Sequence, residues 1–278
     1  PGDVRMKFEK YHGIGNDFVL AELDTGQEEV APDASLLERL CDRHRGVGAD
    51  GLILVGALTD DGARMIIYNR DGSRPEMCGN GVRCVVAMLA DAGVLAVGEG
   101  ITILSDAGPR PCVLVDGTRG NWRVAVDMGE PVIGEKRSPI EVGNHTLDWL
   151  DVDMGNPHAV TFVSPRPSIE EIDAMGEVLN GGHATFPQGV NVEFVVDEGD
   201  ALDVVVFERG VGRTQACGTG ACAVAAAAWE QGLRERDEGP VVVKLPGGPL
   251  EIEWRAGRVW MTGPAEHVFT GALAAHGE

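Results

Sequence analysis

Lysine is almost missing from this chain. Of 23 basic residues only Lys7, Lys10, Lys136 and Lys244 are lysines, against 44 acidic residues and a formal net charge of −21. Nucleic-acid binding needs a basic footprint, so that class is disfavoured. Pyridoxal-phosphate chemistry needs a lysine in a supporting loop. Lys7 and Lys10 lie by the first expected strand, Lys136 in an expected connector and Lys244 in an expected strand, so that cofactor is not expected. No Walker lysine follows a glycine loop, and no strand–GxGxxG–helix arrangement is present. Long apolar runs are also absent, so no transmembrane helix is expected. The six cysteines lack C-x₂-C spacing and are too sparse for a disulfide scaffold, and no secretory leader pattern is visible. The expectation is a reducing cytoplasm, no membrane, no metal and no cofactor.

The acidic, lysine-poor composition fits a protein kept soluble at high salt, where screening relieves self-repulsion. An ordinary acidic enzyme has the same signature.

What is present is a duplicated element. Met77-Cys78-Gly79-Asn80-Gly81-Val82-Arg83-Cys84 opens one small-residue helix, and Ala216-Cys217-Gly218-Thr219-Gly220-Ala221-Cys222 opens another. Cysteine at a helix start sees the positive end of the dipole and unbonded N–H groups, which lowers its pKa towards the thiolate. The glycines let backbone approach an anion closely. The duplication is wider than the motif. Tyr68-Asn69-Arg70 begins ten residues before Cys78, and Phe207-Glu208-Arg209 begins ten before Cys217. Gly15-Asn16 and Gly155-Asn156 precede the two cysteines at nearly equal distance.

Two homologous halves follow. The expected class is α/β of the α+β type, with two pseudo-symmetric halves. Each is a mostly antiparallel strand barrel around a central helix, and the site lies in a cleft between them. The expected domains are 1–122, with 268–278 returning to it, and 123–267.

Expected strands in the first half are Met6 to Glu9, Phe18 to Leu23, Leu52 to Val55, Ala63 to Asn69, Ile101 to Leu104, Pro111 to Asp116 and Asn121 to Asp127. A helix capped near Asp33 spans Ala34 to Asp42, and Tyr11 to Asp17 reads as a turn. In the second half Leu147 to Asp153 reads as one strand, Met154 to His158 as a turn and Ala159 to Val163 as a strand. Ser168 to Leu179 is a helix whose Ser168 and Glu171 have capping-box spacing. Val192 to Val196, Ala201 to Phe207, Val241 to Lys244, Leu250 to Trp254 and Val259 to Met261 are strands. A short tail follows His267.

Two thiols on opposite sides of one carbon can invert it, one removing a proton and the other returning one. An amino-acid Cα–H is a weak acid, so the charge growing on its carboxylate needs stabilising donors, which two helix N-termini supply. Cys84, Cys222, Cys41 and Cys112 read as structural. A zinc site fits poorly, and a redox dithiol remains the better rival.

Nine ordered segments resemble the diaminopimelate epimerases, cofactor-independent enzymes that interconvert LL- and meso-diaminopimelate for lysine synthesis. They are 12–18, 42–51, 69–73, 78–84, 154–158, 189–191, 208–210, 215–222 and 245–248. The resemblance implies Cys78 and Cys217 as acid/base thiols, and N–H groups at Gly79-Asn80 and Gly218-Thr219 on the reacting carboxylate. It implies Asn16, Asn69, Asn156 and Asn191 on the substrate's amino and carboxylate groups. Arg209 would pair with the distal carboxylate, with Glu208 and His158 near the thiols to tune them and Glu208 also against substrate. Departures are Thr219 where Ser is frequent, Gly51 where some members carry Gln, and Ala159 where some carry Cys. The implied partner is the small-molecule substrate, and a homodimer is compatible. Proline racemases and hydroxyproline epimerases share the two-thiol chemistry but have no use for Arg209. A thiol redox protein or an amino-acid-binding module stays open as a different class.

Overall fold

The computed structural model describes residues 4–23, 31–136 and 139–274. The chain divides into two compact units, one running to Val126 and resuming at Gly263, the other spanning Asp127–Thr262. The sequence placed these joins at 122/123 and 267/268.

The first unit holds β1 (Val4–Gly13), β2 (Asn16–Glu22), α1 (Ala34–Cys41), β3 (Gly51–Thr59), β4 (Gly62–Asn69), α2 (Gly79–Asp91), β5 (Gly100–Ser105), β6 (Gly108–Thr118) and most of β7 (Asn121–Gly129). The second holds β8 (Val132–Lys136), β9 (Ile140–Val142), β10 (His145–Leu147), β11 (Leu150–Asp153), β12 (Pro157–Phe162), α3 (Ile169–Asn180) and β13 (Asn191–Asp197). It continues with β14 (Leu202–Glu208), β15 (Gly212–Arg213), α4 (Gly218–Glu230), β16 (Val241–Leu245), β17 (Gly248–Arg255) and the start of β18 (Arg258–Ala274).

In the first unit β1 to β7 neighbour one another in sequence order, and the later part of β18 pairs with both β7 and β1. Eight strands therefore close into a barrel, which leaves no open edge. α2 packs against β1, β2, β4, β5 and β6, inside that wall. In the second unit the order is β18-β17-β16-β14-β13-β12-β11-β8, with α4 packed against β11 to β14, β16 and β17. A helix enclosed on all sides cannot be amphipathic. Accordingly every residue from Ala221 to Trp229 is buried, seven of those nine being Ala or Val. Alanine fits because it favours helix while leaving room for surrounding strands.

Most pairs are antiparallel, and the parallel ones recur at matched places. β2–β3 flank α1, β4–β5 flank α2, β12–β13 flank α3 and β14–β16 flank α4. Parallel neighbours need a crossover, and each helix supplies one. Ser168 caps α3 with both bonds of a capping box, and Asp33 caps α1 through Ser35.

Several expected boundaries differ. The expected turn 11–17 shrinks to Ile14-Gly15, whose φ values of 47° and 84° give a tight hairpin reversal between β1 and β2. Leu147 to Asp153 is two strands, β10 pairing with β9 and β11 with β12. His158 belongs to β12 rather than a turn. Lys136 ends β8 rather than lying in a connector. The tail after His267 is no loose end: β18 pairs with β1 out to Ala274, while 275–278 lie outside the described residues.

Candidate active site

In the first unit Cys78 is the N-cap of α2, with extended backbone (φ −143°, ψ 113°). Its Sγ donates to Asn16 Oδ1 at 3.7 Å, and Asn80 Nδ2 donates to the same oxygen at 3.1 Å. The Ile14-Gly15 reversal sets Asn16 at the start of β2, and Asn16 Nδ2 donates to Asp50 Oδ2 at 2.8 Å. Asp50 is held in turn by Arg43 at 2.9 Å. Asp17 beside it is part-buried, which alone would raise its pKa. Hydrogen bonds from Arg43 and Lys10 outweigh that and bring it to about 2. Further along α2, the fully buried Arg83 donates to Asn80 Oδ1 at 2.8 Å and to the Pro264 carbonyl at 3.1 Å. Asn69 closes β4, its amide donating to Ser73 Oγ at 2.9 Å. Gly79 is buried and its carbonyl accepts from Arg83.

In the second unit Cys217 is the N-cap of α4 (φ −126°, ψ 104°), and Gly220 N–H donates to its Sγ at 3.3 Å. Thr219 Oγ1 lies 3.6 Å from that sulfur, and Asn156 Nδ2 donates to Thr219 Oγ1 at 3.3 Å. His158 Nε2 bonds Asn156 Oδ1 at 3.1 Å, and its Nδ1 lies 2.6 Å from Glu193 Oε1. Glu208 takes a hydrogen bond from the Thr214 hydroxyl. Gly218 is buried at the first turn of α4. Asn191 is nearly fully buried, donating to the Pro157 carbonyl at 3.0 Å and accepting the Arg209 N–H at 2.9 Å. It therefore shapes the loop that carries Arg209. The Arg209 side chain is exposed, and its guanidinium has no hydrogen bond or ion pair among the described residues.

The thiol chemistry corrects a sequence expectation. A helix N-terminus alone would lower the pKa of Cys217, yet burial pushes it well above the ordinary thiol value. The Glu208 and Glu193 carboxyls add to that rise, against the hydrogen bonds from Thr219 and Gly220. Burial raises Glu208 too, and Glu193 adds to it, while the bond from Thr214 opposes both. Cys84, fully buried in α2, is pushed by burial up to about 12, and burial also raises Cys41. Both thiols are buried and held protonated, as packing cysteines are.

The expected residues thus fall into two groups: Asn16, Asn69, Cys78, Gly79 and Asn80 in the first unit, and Asn156, His158, Asn191, Glu208, Arg209, Cys217, Gly218 and Thr219 in the second. Asp50, Arg83 and Glu193 were not foreseen. The signal for Arg83 and Glu193 was available: each is one charged residue inside an otherwise apolar buried run. No group of three or more His, Cys, Asp or Glu among the described residues is arranged to hold a metal ion.

The solved structure of a phenazine biosynthesis protein from Bacillus anthracis superposes with a TM-score of 0.73 over 96% of this chain and 98% of that one, at 16% identity. A hydroxyproline epimerase from Agrobacterium vitis gives 0.72 over 97% and 92%, at 18% identity. At such identities these likenesses show the fold alone. The sequence comparisons go further. The diaminopimelate epimerase of Nostoc punctiforme is 42% identical, the match covering 97% of this chain and 100% of that protein. The sequence model of the family described as diaminopimelate epimerase matches residues 8–134 and 151–268, which take in both cysteine-capped helices. With that match over most of its length, the chain belongs to the diaminopimelate epimerase family.

Proposed function

We propose that the chain interconverts LL- and meso-2,6-diaminopimelate by moving a proton at one Cα, with Cys78 and Cys217 as the two acid/base groups. The observation that carries this is the pair of cysteines capping two enclosed helices, in a chain of this family. In the proposed step one thiolate takes the Cα proton and becomes a thiol. The electron pair left at Cα delocalises onto the adjacent carboxylate. Free N–H groups at Gly79-Asn80 and Gly218-Thr219 stabilise that charge without reorganising. The other thiol gives its proton to the opposite face and becomes the thiolate. The reading requires one Cα to be reached by both sulfurs.

Burial and two neighbouring carboxyls favour Cys217 as the resting thiol. Glu208 is its proton acceptor when it must act as base, since burial has raised Glu208 towards the range where such a transfer is feasible. Asn16, Asn69 and Asn156 hold the amino and carboxylate groups of the reacting end, with Asn191 holding the Arg209 loop. Arg209 presents an unengaged guanidinium fork to the distal carboxylate. That feature favours diaminopimelate over proline, which has no second carboxylate.

The product serves lysine synthesis. We place the enzyme in a reducing cytoplasm, where both thiols stay reduced, and expect a charge of −21 with four lysines to keep it active in multimolar salt. Among the described residues no helix is long and apolar enough to cross a membrane.

The test is Cα proton-to-deuteron exchange in D₂O with reductant, no added cofactor and a salt series, using LL-diaminopimelate and L-proline in parallel. Exchange with formation of the meso isomer is expected from diaminopimelate only. Turnover of proline alone overturns the reading, and loss of activity in high salt overturns the salt expectation.

A further inference from the structure

The two units can be laid on one another residue by residue. Asn16 opens β2 and Asn156 stands immediately before β12, so two residues on Phe18 matches His158. Phe18 pairs with Gly51 on the parallel strand β3, and His158 pairs with Asn191 on the parallel strand β13. Two residues further, Ile53 matches Glu193. The helix glycines give the same match independently. A Cβ on Gly81 would lie 2.9 Å from Ile53 Cδ1, and a Cβ on Gly220 would lie 2.8 Å from Glu193 Oε1. The first unit thus fills with Phe and Ile the places that the second gives to His and Glu. All four are buried, His158 and Glu193 at 1% and 0% exposure. The architecture does not need a polar pair here, since its own twin forms without one.

The bonding of the pair fixes its protons. Asn156 Nδ2 is spent on Thr219, so Asn156 turns its oxygen to His158, and His158 Nε2 must carry a hydrogen. Nδ1 faces Glu193 Oε1, so one further proton sits in that 2.6 Å bond, on nitrogen or on oxygen. Among the described residues Glu193 Oε2 is buried with no hydrogen-bond partner, so the bonding of this carboxyl seen there runs to His158. From there the donors run one way: His158 Nε2–H to Asn156, Asn156 Nδ2–H to Thr219 Oγ1. That leaves the Thr219 hydroxyl hydrogen free to point at Cys217 Sγ, beside the Gly220 N–H.

We propose that Glu193 is a positioning residue: through His158 it sets the direction of a hydrogen-bond chain that ends as a donor on the Cys217 sulfur, and so lets this buried thiol ionise. The inference rests on the proposed thiol chemistry for its purpose, but not for its test. The other titratable groups near the pair on the elements packed around it are Cys217 at the N-cap of α4, Cys222 on α4 and Glu208 on β14; Glu230 ends α4, Asp197 ends β13, and Asp203 alternates to the opposite face of β14 from Glu208. On β11, Val152 lies opposite His158, and by strand alternation Asp151 and Asp153 face away.

The experiment uses the full chain without substrate. Nitrogen-15 NMR reads the His158 ring, assigned with His158→Phe, and peptide mapping reads the rate of Cys217 alkylation by iodoacetamide against pH. In the native protein Nε2 carries hydrogen across the neutral range. Glu193→Ile is expected to release His158 into mixed tautomers and to move the alkylation midpoint of Cys217 up by about one pH unit. Glu193→Gln, whose amide can donate to Nδ1, is expected to keep the Nε2 hydrogen and the native midpoint. An unchanged profile in Glu193→Ile overturns the proposal. So does a lowered midpoint, the sign expected if Glu193 were merely a nearby anion, and so does a Gln variant that behaves like Ile. Should Glu193→Ile fail to fold, His158→Phe with Glu193→Ile recreates the twin's apolar pair. It should fold with the midpoint raised, and a native midpoint in it overturns the proposal. A chain that epimerises diaminopimelate can still fail this test, and one that does not can still pass it.

Discussion

The two cysteine-capped helices share a backbone plan and differ in what surrounds their starts. Around Cys78 the charges are cationic or paired: Arg83 and Lys10 are buried, and Lys10 with the exposed Arg43 holds Asp17. Around Cys217 they are carboxyls, Glu208 and Glu193, with His158 between Glu193 and the helix start. Matched positions carry the change: Asn69 against Glu208, Ile53 against Glu193, Phe18 against His158, Arg83 against Cys222. A duplicated fold has kept a cysteine-capped helix start in both halves and gathered carboxyls around only one of them. The lesson is that the helix N-terminus sets a thiol's accessibility to charge, while burial and neighbours set its pKa. In the second unit the latter win.

The largest effect should come from removing either sulfur. Cys78→Ala and Cys217→Ala are each expected to lower epimerisation at least about 10³-fold, the scale of losing an essential acid or base. If one half were only a binding domain, one of the two variants would keep its rate. Deuterium incorporation under single-turnover conditions checks this for each.

A double-mutant cycle separates the buried pairs. His158→Ala leaves Glu193 as a carboxyl in the core with no partner, which should destabilise by about 3–5 kcal/mol. Adding Glu193→Ile should return most of that. Phe18→Ala should lose about as much by opening a cavity. No second change at Ile53 should restore it. Urea unfolding of both single variants and the double variant in each unit measures the coupling, and equal coupling in both units would erase the distinction drawn between them.

Acid sensitivity should be contributed by the first unit. Asp17 has its pKa lowered to about 2 from the usual 3.8 by Arg43 and Lys10, despite burial. Its stabilisation is fully present above about pH 4 and is lost as pH falls through about 2, and is worth about 2 kcal/mol. Asp17→Asn should be less stable than the native chain at neutral pH and equal to it near pH 2. A gap that persists in acid would show that packing, not charge, carries the contribution.

Much of this was legible in the sequence. The repeat, the cysteine caps, the Ser168 capping box and nearly every long strand follow from periodicity and turn chemistry. What was not legible has physical causes. β18 looked like a short strand because Thr262-Gly263-Pro264 reads as a turn. In the fold a proline tolerates that place, and its carbonyl serves Arg83. β8, β9 and β10 are short and mixed in polarity, so their pairing is decided by neighbours far along the chain. Glu193 stands out as the one charged residue of the strand Val192 to Val196, but no local pattern tells which neighbour that carboxyl meets. The raised pKa of Cys217 was invisible because it comes from burial first, and then from Glu208 and Glu193, brought to the helix start by strands β14 and β13.

The smallest and most selective comparison concerns the third residue after each cysteine. Gly81 and Gly220 hold the same place in α2 and α4, and alanine there gains about 0.5–1 kcal/mol of helix propensity in either. The difference lies in what the new methyl meets. At Gly81 it meets the tip of Ile53, at 2.9 Å, a flexible end that can turn aside. At Gly220 it meets Glu193 Oε1 at 2.8 Å and Cys217 Sγ at 3.1 Å. Glu193 cannot turn aside without stretching its bond to His158, and overpacking of that kind costs about 1–3 kcal/mol. Gly81→Ala should therefore be near neutral in stability, and Gly220→Ala destabilised by about 1 kcal/mol with slower Cys217 alkylation. If both variants behave alike in thermal unfolding and in thiol reactivity, Glu193 is not held where its hydrogen bonding places it, and the two helix starts are less different than their neighbours make them.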